Sequence, residues 1–256
     1  MSTQEASIFF FLPIIAAYLS ACGGWLLITR QYPSLWITPS IKEQKRNFKD
    51  IGIAFLAVAG ILLLGQLYRS GFLLPTRGES WIFSFNWIID NLIIYSPIFI
   101  TLYLRKQSTS TIFLSRQGFV KKVTFGLSLG ILAVIIFLVL RSELNRFPEV
   151  ILRSIEPGRL VDFVPIFLEG VAVAFLFVRI KWALGILPAI LIPAGLFALA
   201  HIPGQLANGL NIVEIIAFFV VNGGLAGAIL YFVHRSADII WIGLVHYIMD
   251  IAIEAI

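Results

Sequence analysis

Residues 123–140 read VTFGLSLGILAVIIFLVL and contain no charged side chain. At 1.5 Å per residue, a helix of this length rises about 27 Å, close to the roughly 30 Å hydrocarbon core of a bilayer. Backbone N–H and C=O groups find no water in that core, so the run must pair them internally as a helix. The stretch therefore predicts a transmembrane helix and an integral membrane protein.

Seven further apolar runs of similar length flank this one along the chain. They predict an all-α polytopic bundle of about eight transmembrane helices. Composition agrees, because 59% of the 256 residues are hydrophobic and only 13% are charged, more apolar surface than a soluble domain covers. We treat 1–160, with four spans, and 161–256, with the other four, as halves of one membrane domain. The predicted spans are 8–29, 51–68, 87–104, 123–140, 163–180, 183–200, 212–232 and 239–253.

The basic residues between the spans indicate the orientation. Thirteen of the nineteen Lys and Arg residues lie on the side of the first loop, and the positive-inside rule then places both termini outside the cytoplasm. The net charge is +5, and the basic residues lie between the apolar runs and do not form one stripe. We therefore expect contacts with the lipid bilayer and no nucleic-acid partner. The N-terminal residues lack a basic signal-peptide region and an organelle-targeting pattern, which favours a bacterial plasma membrane.

Four ionisable side chains lie inside the last four predicted spans: Glu169, His201, His246 and Asp250, here called the four-residue cluster. A charge at the bilayer centre costs about 2.5–3.5 kcal/mol or more, so each needs an explanation. His246 and Asp250 are four positions apart and leave one helix face. We expect the cluster to meet around one wet pocket. There a carboxylate and a neutral imidazole could activate a water molecule for attack on a carbonyl, and a second His could stabilise the oxyanion.

Two other roles remain open for these residues. Glu169, His201 and His246 could ligate a divalent metal such as zinc, since imidazole and carboxylate suit that ion. Each side chain could also simply satisfy a hydrogen bond between helices. The remaining polar residues of the spans favour such structural roles. They are Asp90 and Asn91 (helix packing), Asn222 with Gly223, Gly224 and Gly227 (close packing), Glu214 (interfacial) and His234 (a loop at the headgroups).

In these residues the sequence resembles the CPBP-type intramembrane proteases, the group that contains the CAAX prenyl endopeptidases and the Abi-type immunity proteins. Their pattern is Glu-Glu-x-x-x-Arg, then Phe-x-x-x-His, then His-x-x-x-Asn/Asp, each on its own helix. Residues 197–201 match the second motif and residues 246–250 the third, while Glu169 matches the first Glu of the first motif. Gly223, Gly227 and Tyr231 fit the glycine-rich span before the last helix. The resemblance covers about residues 161–256.

The resemblance implies a glutamate-dependent endopeptidase that acts on a membrane-associated or lipidated protein or peptide. Glu169 and His201 would activate water, and His246 with Asp250 would orient or stabilise the transition state. Two positions depart from the pattern, because Gly170 replaces the second Glu and Ala174 the Arg, with Arg179 out of register.

These departures keep two other functions open. A non-catalytic relative would use the same pocket to bind a protein partner in the membrane, as an immunity, scaffold or regulatory protein. A proton-coupled carrier would use the cluster as a relay, although the sequence has no visible inverted repeat.

Overall fold

The computed structural model describes residues 8–36, 48–71 and 81–256, with side chains from residues 11, 48 and 85 of these ranges onward. Within them the chain is helical and contains no β-strand, which confirms the all-α prediction. The helices are α1 (Ile8–Gln31), α2 (Phe48–Arg69), α3 (Trp81–Leu104), α4 (Phe119–Leu140), α5 (Phe147–Ser154), α6 (Pro157–Leu160), α7 (Phe163–Leu184), α8 (Ile186–Ala207), α9 (Ile212–Ser236) and α10 (Ile240–Ala255).

Seven of these helices, α1–α4 and α7–α9, are long and apolar enough to cross a bilayer. The eighth predicted span is α10, whose 16 residues rise about 24 Å. It is a short helix enclosed by the rest of the bundle, with most of its side chains buried. The protein is therefore a polytopic integral membrane protein. The basic residues Lys42, Lys45, Arg46 and Arg77 of the orientation argument lie outside the described residues.

Six helices form a closed ring in the order α1, α4, α10, α7, α8 and α9, and α9 returns to α1. Helices α2 and α3 pack together outside the ring and cover the free side of α7. Sequence neighbours are therefore separated in space, because α10 leaves α9 and inserts between α4 and α7. The two halves of the chain interlock, and α1 from the first half lies opposite α7 and α8 from the second.

Two glycines allow α4 and α10 to approach closely. A Cβ atom on Gly126 would lie 2.8 Å from the backbone oxygen of Trp241, and one on Gly130 would lie 2.7 Å from Ile248. These glycines are four residues apart and so share one helix face, the small-residue spacing typical of tight packing in membranes.

A buried ion pair joins α4 to the turn before α10. The ammonium nitrogen of Lys122 lies 2.6 Å from a carboxylate oxygen of Asp238, and the two side chains are 2% and 0% exposed. The other carboxylate oxygen of Asp238 accepts the N–H of Ile240. Burial raises the pKa of Asp238 to about 6 against the opposing pull of Lys122. The pair therefore fixes the start of α10 without fully recovering the free energy lost on leaving water.

Two basic residues that lie outside the predicted spans are inside helices. Lys122 is within α4, and Lys181 is within α7. The guanidinium of Arg179 donates to the side chain of Gln107 and lies between two aromatic rings, which explains how the helix continues past it. The loop assignment of His234 was also wrong, because this residue lies in the last turn of α9 with its ring 5.8 Å from that of Phe177.

The segment between α4 and α7 folds as the short helices α5 and α6. Helix α5 packs on α10, and α6 packs on α5 and α7. The hydroxyl of Tyr247 donates to the backbone oxygen of Ser154 across 2.7 Å. Arg159 pairs with Glu254 across 2.6 Å. These contacts support α10 at the end where Asp250 lies.

Candidate functional site

Glu169 and His201 lie at the same depth on neighbouring antiparallel helices. Gly185 joins α7 to α8 with φ +89°, a conformation that favours glycine. Glu169 is the seventh residue of α7, and His201 is the seventh from the end of α8. Both residues therefore lie about 9 Å from the same end of the bundle.

The hydrogen bond of His201 to its own helix orients its ring. Its Nδ1 lies 2.8 Å from the backbone oxygen of Phe197. A carbonyl oxygen only accepts, so Nδ1 carries the hydrogen. The other nitrogen, Nε2, is then the acceptor of the neutral ring, and it lies 3.8 Å from Oε1 of Glu169. That distance is too long for a direct hydrogen bond, and both atoms are acceptors when the carboxylate is ionised and the imidazole neutral.

The second pair lies on α10. Nε2 of His246 is 3.5 Å from Oδ2 of Asp250, one helical turn further on. The ring of His246 also meets the ring of Tyr18 from α1, edge to face, with centroids 6.2 Å apart. The ring order of the helices explains this contact, because α1 and α10 both pack on α4.

The two pairs belong to one group. Glu169 interacts electrostatically with His246, His201 and Asp250. All four side chains are 28–40% exposed, and all four face one cavity of about 630 Å³ inside the helix ring. Most of the cavity wall is apolar, so the cluster is the main ionisable feature of an otherwise hydrophobic chamber. The structure thus brings together the four residues selected from the sequence.

The arrangement does not fit the zinc alternative. Within the part of the chain that the structure describes, no group of three or more His, Cys, Asp or Glu side chains is placed to hold a metal ion. Glu169, His201 and His246 face the same cavity but do not converge on one point at the 2.0–2.2 Å distances that zinc requires. We therefore derive no chemistry through a metal.

The two positions that depart from the family pattern also line the cavity. A Cβ atom on Gly170 would have no neighbour within 4 Å, so the side chain missing here leaves open space beside Glu169. Ala174 lies one turn further along the same wall. Arg179 cannot substitute for the missing Arg, because it is buried ten residues beyond Glu169 and bound to Gln107.

Two of the three glycines of α9 make the close helix packing that was predicted for them. Gly223 and Gly227 pack closely against α8, while Gly224 contacts nothing within 4 Å. Glu214 forms a capping box with Asn211 at the start of α9.

The two polar residues of the third span, Asp90 and Asn91, make different kinds of contact. Asp90 is buried and interacts with Tyr68 of α2. Asn91 donates to the backbone of Trp87 in its own helix and so does not join helices through that bond.

Three polar residues of the cavity wall were not predicted from the sequence to take part in catalysis: Tyr18, Gln205 and Asn222. Asn222 donates to the backbone oxygen of Phe218 and half faces the chamber. Tyr18 could not be selected from the sequence, because a tyrosine in an apolar span is common and nothing in the sequence indicates that α1 and α10 both pack on α4.

No protein-family model, curated protein or solved structure matches this chain.

Proposed function

We propose that the chain is a glutamate-dependent intramembrane endopeptidase of the CPBP type, acting on a membrane-associated or lipidated protein or peptide. One observation carries the proposal: Oε1 of Glu169 and Nε2 of His201 lie 3.8 Å apart at the wall of the chamber. Two acceptors at that separation can both receive hydrogens from one water molecule. The oxygen of that water is then left with a lone pair for the substrate carbonyl.

The reaction balances on these groups. As the water oxygen bonds to the carbonyl carbon, Glu169 takes one of its protons and the carbonyl π electrons move to oxygen. When the oxyanion collapses, the C–N bond breaks and the proton on Glu169 passes to the leaving amine. His201 orients the water. Asp250 orients the ring of His246, with 3.5 Å between Oδ2 of Asp250 and Nε2 of His246.

The chamber supports a membrane substrate better than a soluble one. It is lined by residues of α1, α7, α8, α9 and α10, and its walls are predominantly apolar. An apolar segment or lipid chain could lie against these walls, and exclusion of bulk water would strengthen the electrostatic interactions at the cluster.

The predicted orientation would put this chemistry in the outer half of the membrane. The cluster lies in the halves of α7, α8 and α10 that the positive-inside rule assigns to the outer leaflet. We therefore propose a bacterial plasma-membrane enzyme that cleaves near the outer face, in contrast to the cytosolic access of the prenyl endopeptidases.

Product analysis tests the proposal. Purified protein in liposomes is incubated with a library of quenched fluorescent peptides that carry apolar segments, and the fragments are identified by mass spectrometry. We expect cleavage to give one new carboxyl terminus and one new amine, and to survive EDTA because no three ligands converge.

The alternative is a non-catalytic relative, favoured by Gly170 and Ala174 in place of the motif's Glu and Arg. Affinity purification discriminates the two. A stoichiometric membrane partner that His201→Ala and Asp250→Ala variants retain, together with no cleavage of any library peptide, would establish the binding role and contradict the enzyme.

A further inference from the structure

We propose that Tyr18 of α1 is a catalytic residue that donates its hydroxyl hydrogen to the oxyanion during peptide hydrolysis. This inference rests on the proposed endopeptidase function. It adds a residue from outside the resembling segment, because residues 161–256 do not include α1.

Tyr18 belongs to the same chamber as the four-residue cluster. Its ring packs edge to face on His246 with centroids 6.2 Å apart. It interacts electrostatically with Asp250 and Glu169, two members of the four-residue cluster. Only 4% of the residue is exposed, yet it lines the cavity. Its side chain therefore faces the chamber and not the lipid.

The hydroxyl of Tyr18 makes no hydrogen bond to any group in the described part of the chain. A buried tyrosine hydroxyl usually has a partner, as Tyr247 does in its 2.7 Å bond to the backbone of Ser154. Because the Tyr18 hydroxyl faces the cavity without a protein acceptor, we expect its acceptor to be an oxygen of the bound substrate.

The four-residue cluster lacks an evident donor for that oxygen. An ionised Asp250 can only accept. Nε2 is the nitrogen of His246 nearest to Asp250, at 3.5 Å. If that nitrogen carries the hydrogen, the remaining nitrogen of the neutral ring is an acceptor. His201 directs its one hydrogen at the backbone of Phe197. The hydroxyl of Tyr18 supplies the hydrogen bond to the oxyanion that these three residues do not.

The step transfers no proton to or from Tyr18. As the π electrons of the carbonyl move to oxygen, the phenolic O–H strengthens its hydrogen bond to the growing negative charge. It weakens again when the C=O bond re-forms and the amine leaves. Donors of this kind act on the transition state more than on the ground state.

The test compares Tyr18→Phe with Tyr231→Phe, a matched loss of hydroxyl on a tyrosine that is 45% exposed. The best peptide from the quenched fluorescent library is the substrate. A phosphonamidate version of it, with tetrahedral phosphorus at the scissile position, mimics the oxyanion. We expect Tyr18→Phe to lower kcat about 10²-fold or more, with KM changed by less than about twofold. It should weaken phosphonamidate binding by a similar factor while thermal stability and Tyr231→Phe remain at wild-type values.

Each outcome is decisive. If Tyr18→Phe cleaves as fast as wild type and binds the phosphonamidate equally well, the inference is wrong while the proposed function stands. Loss of activity in Asn222→Ala with none in Tyr18→Phe would assign the donor to α9 instead. If wild type cleaves no peptide, the proposed function falls, and with it this role of Tyr18. A general loss of peptide binding and thermal stability in Tyr18→Phe would show a packing role.

Discussion

His201 donates its Nδ1 hydrogen to the backbone oxygen of Phe197 across 2.8 Å, and this bond fixes which nitrogen faces Glu169. The two residues are one helical turn apart, so the orientation of the ring is a property of α8 itself. Their rings also pack, with centroids 4.6 Å apart. The Phe-x-x-x-His spacing therefore orients the ring so that Nε2 faces Glu169 at the chamber wall.

Filling the space beside Glu169 should block substrate without unfolding the protein. Gly170 lines the cavity, and a Cβ there meets nothing within 4 Å, so Gly170→Leu adds bulk only to the chamber. We expect peptide turnover to fall at least about tenfold, the effect of losing roughly 1.4 kcal/mol of binding. Thermal unfolding should stay at the wild-type temperature. The control is Gly65→Leu on α2, also without a neighbour within 4 Å. Unchanged turnover in Gly170→Leu would show that substrate does not occupy this part of the cavity.

The contact between α4 and α10 should tolerate no added methyl group. Gly126→Ala would place Cβ 2.8 Å from the backbone of Trp241, which cannot move as a side chain can. We expect a loss of about 1–3 kcal/mol in stability, the usual cost of overpacking. Gly65→Ala, with open space around it, serves as the matched variant and should lose nothing. Equal unfolding temperatures for the two variants, measured in the same detergent, would contradict this packing.

Removing one member of the Lys122–Asp238 pair should destabilise the protein strongly, whereas replacing both members with apolar residues should change its stability little. Lys122→Met leaves a buried carboxylate without its cation and should cost about 3–5 kcal/mol. Asp238→Leu leaves a buried ammonium and should cost a similar amount. The double variant removes both charges, so its stability should return close to that of wild type. If the double variant is as unstable as either single variant, the two residues do not act as a pair.

The same pair predicts a dependence of stability on pH. Burial raises the pKa of Asp238 to about 6, above the value of about 3.9 for an unfolded Asp. The folded state therefore binds the proton more strongly, and the associated stability is fully present below about pH 3.9. That contribution is lost as pH rises through about 6. Thermal unfolding of wild type and of the double variant across this range isolates the effect. A difference between them that does not change with pH would contradict it.

Cysteine labelling tests the orientation on which the outward-facing site depends. Glu156 lies at the end of the bundle near Asp250, and Gln117 lies at the opposite end; both are exposed. The natural Cys22 is buried and should give little background. In intact cells, a membrane-impermeant maleimide should label Glu156→Cys directly and Gln117→Cys only after permeabilisation. The reverse pattern would place the site in the cytoplasmic half.

Most of the fold could be predicted from the sequence, because each span needs only local length and hydrophobicity. Six of the eight predicted runs lie within single helices. The run 183–200 begins at the end of α7 and crosses Gly185 into α8, and the run 239–253 begins one residue before α10. The sequence could not show that Lys122 and Arg179 are buried within helices, because their burial depends on partners that are distant in sequence. The helices α5 and α6 were missed because they are short and carry charge.

The candidate site divides in the same way. Glu169, His201, His246 and Asp250 could be selected because a charge in lipid is costly wherever it occurs. Tyr18 could not be selected, since a tyrosine in a span costs little and its importance comes only from the helix ring, in which α1 and α10 both pack on α4.

The rate of peptide cleavage by Glu169→Gln, relative to wild type in the same liposomes, tests the central claim most directly. Glutamine keeps the shape of the side chain but cannot accept the proton from water. The claim predicts a loss of about 10²–10⁴-fold in kcat, with unchanged thermal stability. Glu156→Gln, at an exposed carboxylate that does not line the cavity, should retain full activity. Cleavage by Glu169→Gln at the wild-type rate would contradict the claim that Glu169 activates the attacking water.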